Sequence, residues 1–460
     1  MAMSSSTIVS TLPDAGAVSV RTVERVLREG CPLLNVESPP GAGKTALVEA
    51  LLVSAVGVAG LRAAVIAPHA EQTYGLLRRV VSHYGPLPLA LLQSAQRELP
   101  PDLLDDQRIP RPVSEPRRLP GVGPLALVAT ADKLLFESAV PELGKFDLLI
   151  CDEAYQLTYS KLAPLLRLTK QTVLVGDPGQ LPTLVTIPVH RFETAPHRVH
   201  WAAPRELKRC LPDLPTERLP VTRRLPQDTV AFIQQPFYPN LPFSSAVYGE
   251  DCRLQFAVRG NNSVIDRALD LIAAGCSIVC LLLPGENAPA GIVDYELSEV
   301  AAEVIARFLA RQPIWQGRMP LDANHVGYAD AHVASGEQTA QMLRSRGVPT
   351  DKTQVLTPEI WQGLERPFMA VKHPLSGLNR LSTFDLEPGR FCVMLTRHQL
   401  GCVIVGRESI GERLAQHQHT CGERPFGAEN SEWAGWQAHY VLWERLREEA
   451  RLIKLSNTYY

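Results

Sequence analysis

The sequence predicts an α/β fold built twice over, with parallel sheets flanked by helices. Three observations lead there. Short apolar runs bounded by polar, Gly or Pro residues recur along the chain and alternate with helical patterns. A Gly-rich turn, Ser38-Pro-Pro-Gly-Ala-Gly-Lys-Thr45, stands between one such run and a helical stretch. The length, 460 residues, suits two to three domains at roughly 150 residues each.

In the first half the strand-like runs are Leu33–Val36, Ala63–Ala67, Leu125–Thr130, Asp147–Asp152 and Thr172–Asp177. In the second half they are Ser277–Leu283, His325–Asp330, Gln354–Leu356, Phe368–Val371, Arg390–Leu395 and Cys402–Val405. Runs of this length without alternation suit strands buried on both faces of a parallel sheet. Residues 86–124 hold nine prolines and the Arg108, Arg111, Arg117 and Arg118 cluster. Such proline density opposes a helix or a central strand, and the segment reads as an insertion projecting from the first domain. Residues 210–251, rich in Pro, Phe and Tyr, read as the crossing between domains. The expected division is 1–213, 214–425 and a C-terminal Trp-rich helix over 426–460. In that helix Trp433, Trp436, Tyr440, Trp443, Leu446 and Ile453 fall along one face. It reads as docked on the second domain, or as a surface for a partner or for bases.

Composition narrows the function classes. Hydrophobic residues make up 45%, ordinary for a globular protein. Lys and Arg total 46 against 48 Asp and Glu, a net charge of −2, which excludes a chain-wide basic footprint. The nine cysteines include no CxxC pair and read as reduced thiols. Cys276 and Cys280 fall in an apolar run and read as core. His417, His419 and Cys421 read as a loop without the second ligand pair a zinc site needs. The start lacks the basic-then-apolar pattern of a signal peptide, and the charge-free run Ala50–Leu61 is shorter than the roughly 20 residues of a bilayer span. A cytoplasmic protein is expected.

Two motifs carry chemistry. Gly41 and Gly43 let the backbone curl so that N–H groups point at phosphate oxygens, and the following helix adds its positive end. Pro40, Gly41, Ala42, Gly43, Lys44 and Thr45 thus form a phosphate-binding loop, with Lys44 on the β- and γ-phosphates and Thr45 offering a hydroxyl to Mg²⁺. Ser38 stands where the first Gly is usual. The second motif is Phe146-Asp-Leu-Leu-Ile-Cys-Asp-Glu-Ala-Tyr-Gln156, an apolar strand ending in two acids. Asp152 suits Mg²⁺ coordination through water, and Glu153 suits polarising the attacking water.

Asp152-Glu-Ala-Tyr-Gln156 resembles the DEAxQ form of motif II in superfamily 1 helicases, and Val175-Gly-Asp-Pro-Gly-Gln-Leu-Pro182 resembles their motif III. Ala67-Pro-His-Ala70 is similar to motif Ia, and Val128-Ala-Thr130 to the next backbone-contacting element. Leu219-Pro-Val-Thr-Arg-Arg-Leu-Pro226 resembles motif IV, with Thr222 in place of Gln or Asn and Arg223 in place of the common Tyr. Trp361-Gln-Gly-Leu-Glu365 resembles motif V, and Val393-Met-Leu-Thr-Arg397 with Val403-Ile-Val-Gly406 resembles motif VI. The upstream Gln that reads adenine in many relatives has no counterpart.

The resemblance covers about residues 20 to 410. It implies two tandem RecA-like P-loop NTPase domains, with ATP and Mg²⁺ in the cleft between them. On that reading Gln180 senses the γ-phosphate, Arg224 and Arg397 neutralise charge on the transferring phosphoryl group, Gly363 lies near the γ-phosphate and Glu365 near the ribose. Pro68, His69 and Thr130 touch the nucleic-acid backbone. The implied activity is ATP-driven movement on single-stranded DNA or RNA, in the 5′ to 3′ direction. Residues 186–224 hold eight basic against four acidic residues, a patch suited to salt-sensitive phosphate contact. The alternative is a nucleotide-dependent switch that recruits protein partners through the C-terminal helix or the proline-rich insertion without unwinding.

Overall fold

The computed structural model describes residues 14–183, 185, 188–189, 192, 195–285, 292–377, 381–416 and 431–455. The chain divides into two compact units: Met1–Pro178 with Pro182–Pro220, and Gly179–Leu181 with Val221–Tyr460.

The first unit holds α1 (Asp14–Arg28), β1 (Leu33–Glu37), α2 (Lys44–Val53), β2 (Arg62–Ala67), α3 (Ala70–His83), β3 (Leu89–Leu92) and α4 (Pro101–Asp105). Next along the chain are β4 (Leu125–Thr130), α5 (Ala131–Glu137), β5 (Phe146–Cys151), α6 (Tyr159–Leu165), β6 (Thr169–Gly176), α7 (Ala203–Cys210) and β7 (Thr216–Arg218). The strands form one sheet in the order β3-β4-β2-β5-β6-β1-β7, every pair parallel. The central stretches of β2, β4, β5 and β6 are continuously apolar because both faces are covered. Val36, Val65, Leu148 and Val175 pack on one side with α2 and α3; Ile66, Leu127, Leu149 and Leu174 pack on the other with Leu134 and Leu162. This order makes β1, β6 and β5 neighbours, so the loops after all three leave one edge side by side. In open parallel sheets that edge is where ligands bind.

The second unit holds β8 (Val221–Pro226), α8 (Gln227–Phe237), β9 (Ser244–Val247), β10 (Leu254–Phe256), α9 (Val264–Ala273), β11 (Ile278–Leu283), α10 (Tyr295–Ala310), β12 (Pro313–Trp315) and β13 (Met319–Pro320). Then come β14 (Val326–Ala329), α11 (Val333–Ser345), β15 (Gln354–Leu356), α12 (Pro358–Trp361), β16 (Arg366–Lys372) and α13 (Pro388–Leu395). The last elements are β17 (His398–Arg407), α14 (Ser409–Gln416), α15 (Ser431–Glu448) and β18 (Leu452–Lys454). Its main sheet, β15-β14-β16-β17-β11-β18, is again wholly parallel. The two faces of β11 and β17 feed separate cores, one around Ile404, Phe391 and Trp361, the other around Val403, Phe308 and Phe368.

Four sequence expectations change. Arg390–Leu395 is helical, not a strand: Pro388 occupies the first turn of α13, and every residue from Gly389 to Leu395 is buried. Buried on all sides, a helix of this length has no polar face to reveal its period. The proline-rich segment is built in, since its β3 is the sheet's edge strand and Leu103, Ile109 and Leu119 are buried; an edge is where nearby prolines are tolerated. The crossing at 210–251 contains β7, β8, α8 and β9, and because β7 pairs with β1 the first unit runs to Pro220. The Trp-rich helix docks on the second unit, as the first of its two readings has it, with Leu442, Trp443 and Leu446 in that core, but it ends at Glu448, and Ile453, expected on its face, lies on β18 beside β11.

Candidate functional site

The phosphate loop follows β1. Gly41 and Gly43 have φ of 73° and 93°, left-handed values that glycine adopts without the clash a Cβ would meet. Gly43 is the N-cap of α2, and Lys44 is its first residue. Ser38 is buried; its N–H donates to the Gly176 carbonyl and its hydroxyl to the Pro39 carbonyl. The position where a Gly is usual is thus an internal tether between β1 and β6.

Two acidic strand ends converge on Lys44. Its Nζ is 3.6 Å from Glu153 Oε1 and 3.8 Å from Asp177 Oδ2. Glu153 follows β5 with φ 52° and ψ 44°, a left-handed conformation costly for a residue with a Cβ. Asp152 is buried, and its carboxylate Oδ1 accepts the Glu153 N–H at 3.0 Å. Burial first, and the neighbouring Glu153 charge second, push the Asp152 carboxyl up to about 7, against the pull of Lys44. A buried carboxyl so raised lacks countercharge. With Thr45 on the first turn of α2, the hydroxyl and the carboxylate are donor types that fit a hard divalent cation.

Beneath this cluster lies a second layer. Glu37, the last residue of β1, is buried; Tyr155 donates its hydroxyl proton to Glu37 Oε1 at 2.9 Å, and Lys208 pairs with the same oxygen. Arg218 Nε lies 3.6 Å from Glu37 Oε2. Burial and the Glu37 charge hold the Tyr155 phenol well above its ordinary range. A Cβ on Gly176 would stand 2.8 Å from the Tyr155 ring and 3.1 Å from the Ala154 nitrogen, so only Gly lets the loop after β5 close on β6. Sequence reasoning missed Glu37 and Asp177 as site residues. Asp177 lay inside the Gly-Asp-Pro motif; Glu37 gave no signal beyond closing a strand.

The remaining predicted residues form separate groups. Pro68 and His69 follow β2, whose Ala67 pairs with Thr130 of β4. These two turns are adjacent on the same sheet edge. The His69 N–H donates to Gln72 Oε1, and Thr130 Oγ1 accepts the Lys133 N–H as the cap of α5. His69 is exposed. Gln180 belongs with the second unit, where a Cβ on Gly389 would lie 2.8 Å from the Gln180 carbonyl.

In that unit Arg224 is paired with Glu365, which also accepts from Gln399 Nε2 at 2.8 Å. Gly363 turns the chain just before it with φ 86°. Arg397 is buried at the end of α13; its Nε donates to the Val393 carbonyl at 3.1 Å and its Nη2 to Thr396 Oγ1 at 2.9 Å. The basic stretch expected to face nucleic acid is largely engaged within the protein. Lys208 and Arg218 hold Glu37, Arg209 holds Glu206, and Arg198 and Arg205 each stack 4.4 Å from the Trp201 ring centre.

Residues 127–187 match the family model of an AAA domain. No curated protein matches the chain. Among solved structures, the chain is similar to the PRRSV helicase at 15% identity, covering 85% of this chain and 54% of that one, with a TM-score of 0.39. It is similar to the arterivirus nonstructural protein 10 helicase, solved with DNA, at 14% identity over 84% and 63%, TM-score 0.41. It is also similar to the DExH-box NTPase HrpB of E. coli at 12% identity over 87% and 42%, TM-score 0.44. The chain therefore spans less than two thirds of the length of each of these three. Among the described residues no helix is long and apolar enough to cross a membrane.

Proposed function

We propose that this chain is a nucleic-acid-stimulated ATPase of the superfamily 1 helicase type. One observation carries the reading. A single sheet edge brings together the phosphate loop, the Asp152–Glu153 pair and Asp177, with the turns at Pro68–His69 and Thr130 on the adjoining strands.

ATP is the substrate. The N–H groups of the 40–45 loop and Lys44 bind its phosphates, and in their absence Lys44 is neutralised by Glu153 and Asp177. Mg²⁺, when bound, would supply charge neutralisation at the phosphates. Thr45 and Asp152 would hold it, and a cation there would offset the burial that raises the Asp152 carboxyl. Glu153, half-buried and held apart from Lys44 by more than a hydrogen bond, is the base that takes a proton from the attacking water. On the resemblance, Arg224 and Arg397 answer charge on the transferring group. Gln180 couples phosphate loss to nucleic acid, and the product of the cycle is stepwise movement, 5′ to 3′.

The test is the ATPase rate with and without single-stranded DNA and RNA. Stimulation is expected, with Lys44→Ala losing both binding and turnover. Glu153→Gln is expected to keep nucleotide binding but lose turnover by roughly 10²–10⁴, the range of a lost general base. A wild-type protein unaffected by any polynucleotide sinks the reading. In that event ATP-dependent capture of a protein partner, without strand displacement, supports a switch ATPase.

A further inference from the structure

Outside the nucleotide site, three potential metal donors of different chemistry meet on the first unit. Glu206 and Cys210 are one helical turn apart on α7 and so share a face. His197 comes from the segment preceding it. The Cys210 sulfur is 3.5 Å from His197 Nδ1 and 3.1 Å from Glu206 Oε1, and His197 Nδ1 is 3.4 Å from that oxygen. All three donor atoms fall within 4.8 Å of one another, and among the described residues no other trio of His, Cys, Asp or Glu does so.

These spacings have a geometric meaning. Zinc holds thiolate sulfur at about 2.3 Å and imidazole nitrogen or carboxylate oxygen at about 2.0–2.2 Å, and at tetrahedral angles the donors then stand about 3.3–3.6 Å apart. Two observed edges match, and the third is a few tenths short, as an S–H···O hydrogen bond would make it. The donors are also held in place. Glu206 is buried and accepts the Arg198 N–H at 3.1 Å. The Tyr159 ring lies 5.6 Å from the His197 ring, tilted by 33°. The His197 side chain is 56% exposed, which leaves a face open for metal entry and for water as a fourth ligand.

We propose that His197, Glu206 and Cys210 form a zinc-type site that ties the 195–202 segment to α7. The donor set, one thiol, one imidazole and one carboxylate, is of the borderline-soft kind that selects zinc over magnesium or calcium. Binding breaks the Cys210 S–H bond, forms a metal–sulfur bond and releases that proton to solvent. Arg209, which now donates to both Glu206 oxygens, keeps Oε2 and yields Oε1 to the metal. Its charge lowers the net charge of the donor set, so affinity is moderate and rises with pH. Metal there would also brace α7, whose Lys208 holds Glu37 at the end of β1.

The full-length protein, reduced and stripped with chelator, is titrated with Zn²⁺ against a chromophoric competitor, and separately with Co²⁺. One equivalent of zinc, proton release, a raised melting temperature and a thiolate-to-cobalt charge-transfer band are expected. Cys210→Ser and His197→Ala, each shown folded by circular dichroism, are expected to lose the band and at least about 100-fold in affinity, no less than the roughly 10–100-fold that loss of a mere supporting partner causes. His197 is exposed enough for its variant to fold. Absence of a bound equivalent, or a band that survives Cys210→Ser or is lost in Cys421→Ser instead, overturns the proposal. Because none of these readouts needs ATP turnover, they stand apart from the proposed ATPase activity.

Discussion

At the residue scale, Glu153 shows how the site and its stability pull apart. It holds φ 52°, one of four described non-glycine residues with positive φ, and it does so beside Asp152, Lys44 and the Gly176 turn. A left-handed conformation costs an ordinary L-residue about 1–2 kcal/mol, and such strain persists where the surroundings over-determine it. Asn tolerates that region and is close to Glu in polarity. Glu153→Asn is therefore expected to abolish ATP turnover while raising stability by roughly 1 kcal/mol, read as a higher midpoint in denaturant. An unchanged or lower midpoint removes strain from the account. That Lys44, Asp152 and Glu153 come together was legible in the sequence because each lies in a contiguous motif at the end of a strand. Glu37 was not legible. Its partners, Tyr155, Lys208 and Arg218, lie far away in sequence, and only the order of the strands brings them to it.

At the element scale, α15 tests whether the C-terminal helix is part of the second unit or an appendage. Gly435 lies inside it, and a Cβ there would overlap the Leu386 carbonyl and approach the Leu386 side chain to 3.1 Å. Backbone, not a flexible side-chain end, blocks the space. Gly435→Ala gains about 1 kcal/mol in helix propensity but forces the helix off its seat, an overpacking cost of typically 1–3 kcal/mol. Net destabilisation is expected, by about 1–2 kcal/mol, from chemical unfolding of the full chain. A net gain shows that the helix is loosely seated. The same element marks what periodicity reveals. Its aromatic face was visible at helical spacing, and Trp436 indeed donates its indole N–H to the Leu414 carbonyl at 2.9 Å. The strand after the helix left no such pattern. Leu452–Lys454 is three residues long, and it is a strand only because β11 offers it an edge. Likewise α13 hid its period because all its faces are buried, whereas ten of the thirteen strands of the two main sheets were found within three residues of their ends, save β17 at its start, by their apolar runs, and the short edge strands β3, β7 and β18 were not.

At the scale of the whole molecule, the two units differ in how they bury titratable groups. The second unit encloses three imidazoles: His373 near the end of β16, His398 at the start of β17 and His439 on α15. Burial is the leading cause in each case. It holds His398 down to about 3, helped by the charge of Arg224, holds His439 down to about 4, and holds His373 well below the ordinary histidine range. His398 Nε2 lies 2.7 Å from Thr229 Oγ1, and the His439 ring stacks on Phe391 at 5.1 Å. All three are neutral in the folded chain and take up protons on unfolding near pH 6.5. A folded pKa below the unfolded one means stability is fully present above about pH 6.5 and is lost as pH falls toward the folded values. Each histidine contributes about 1.4 kcal/mol per pH unit in that window. The first unit's Glu206 acts lower. Burial works against its ionisation, but Arg209, Cys210 and the Arg198 N–H outweigh that and hold it at about 2, so its share is lost only below the ordinary carboxylate range. Lowering the pH from 7.5 to 5.5 should therefore lower the unfolding midpoint of the second unit first, followed through the fluorescence of Trp361 and Trp443 at its core. His439→Phe keeps the stack on Phe391 and removes one titrating group, so it should flatten that slope by about a third on equal shares. An unaltered slope in this variant would mean that the acid sensitivity arises elsewhere.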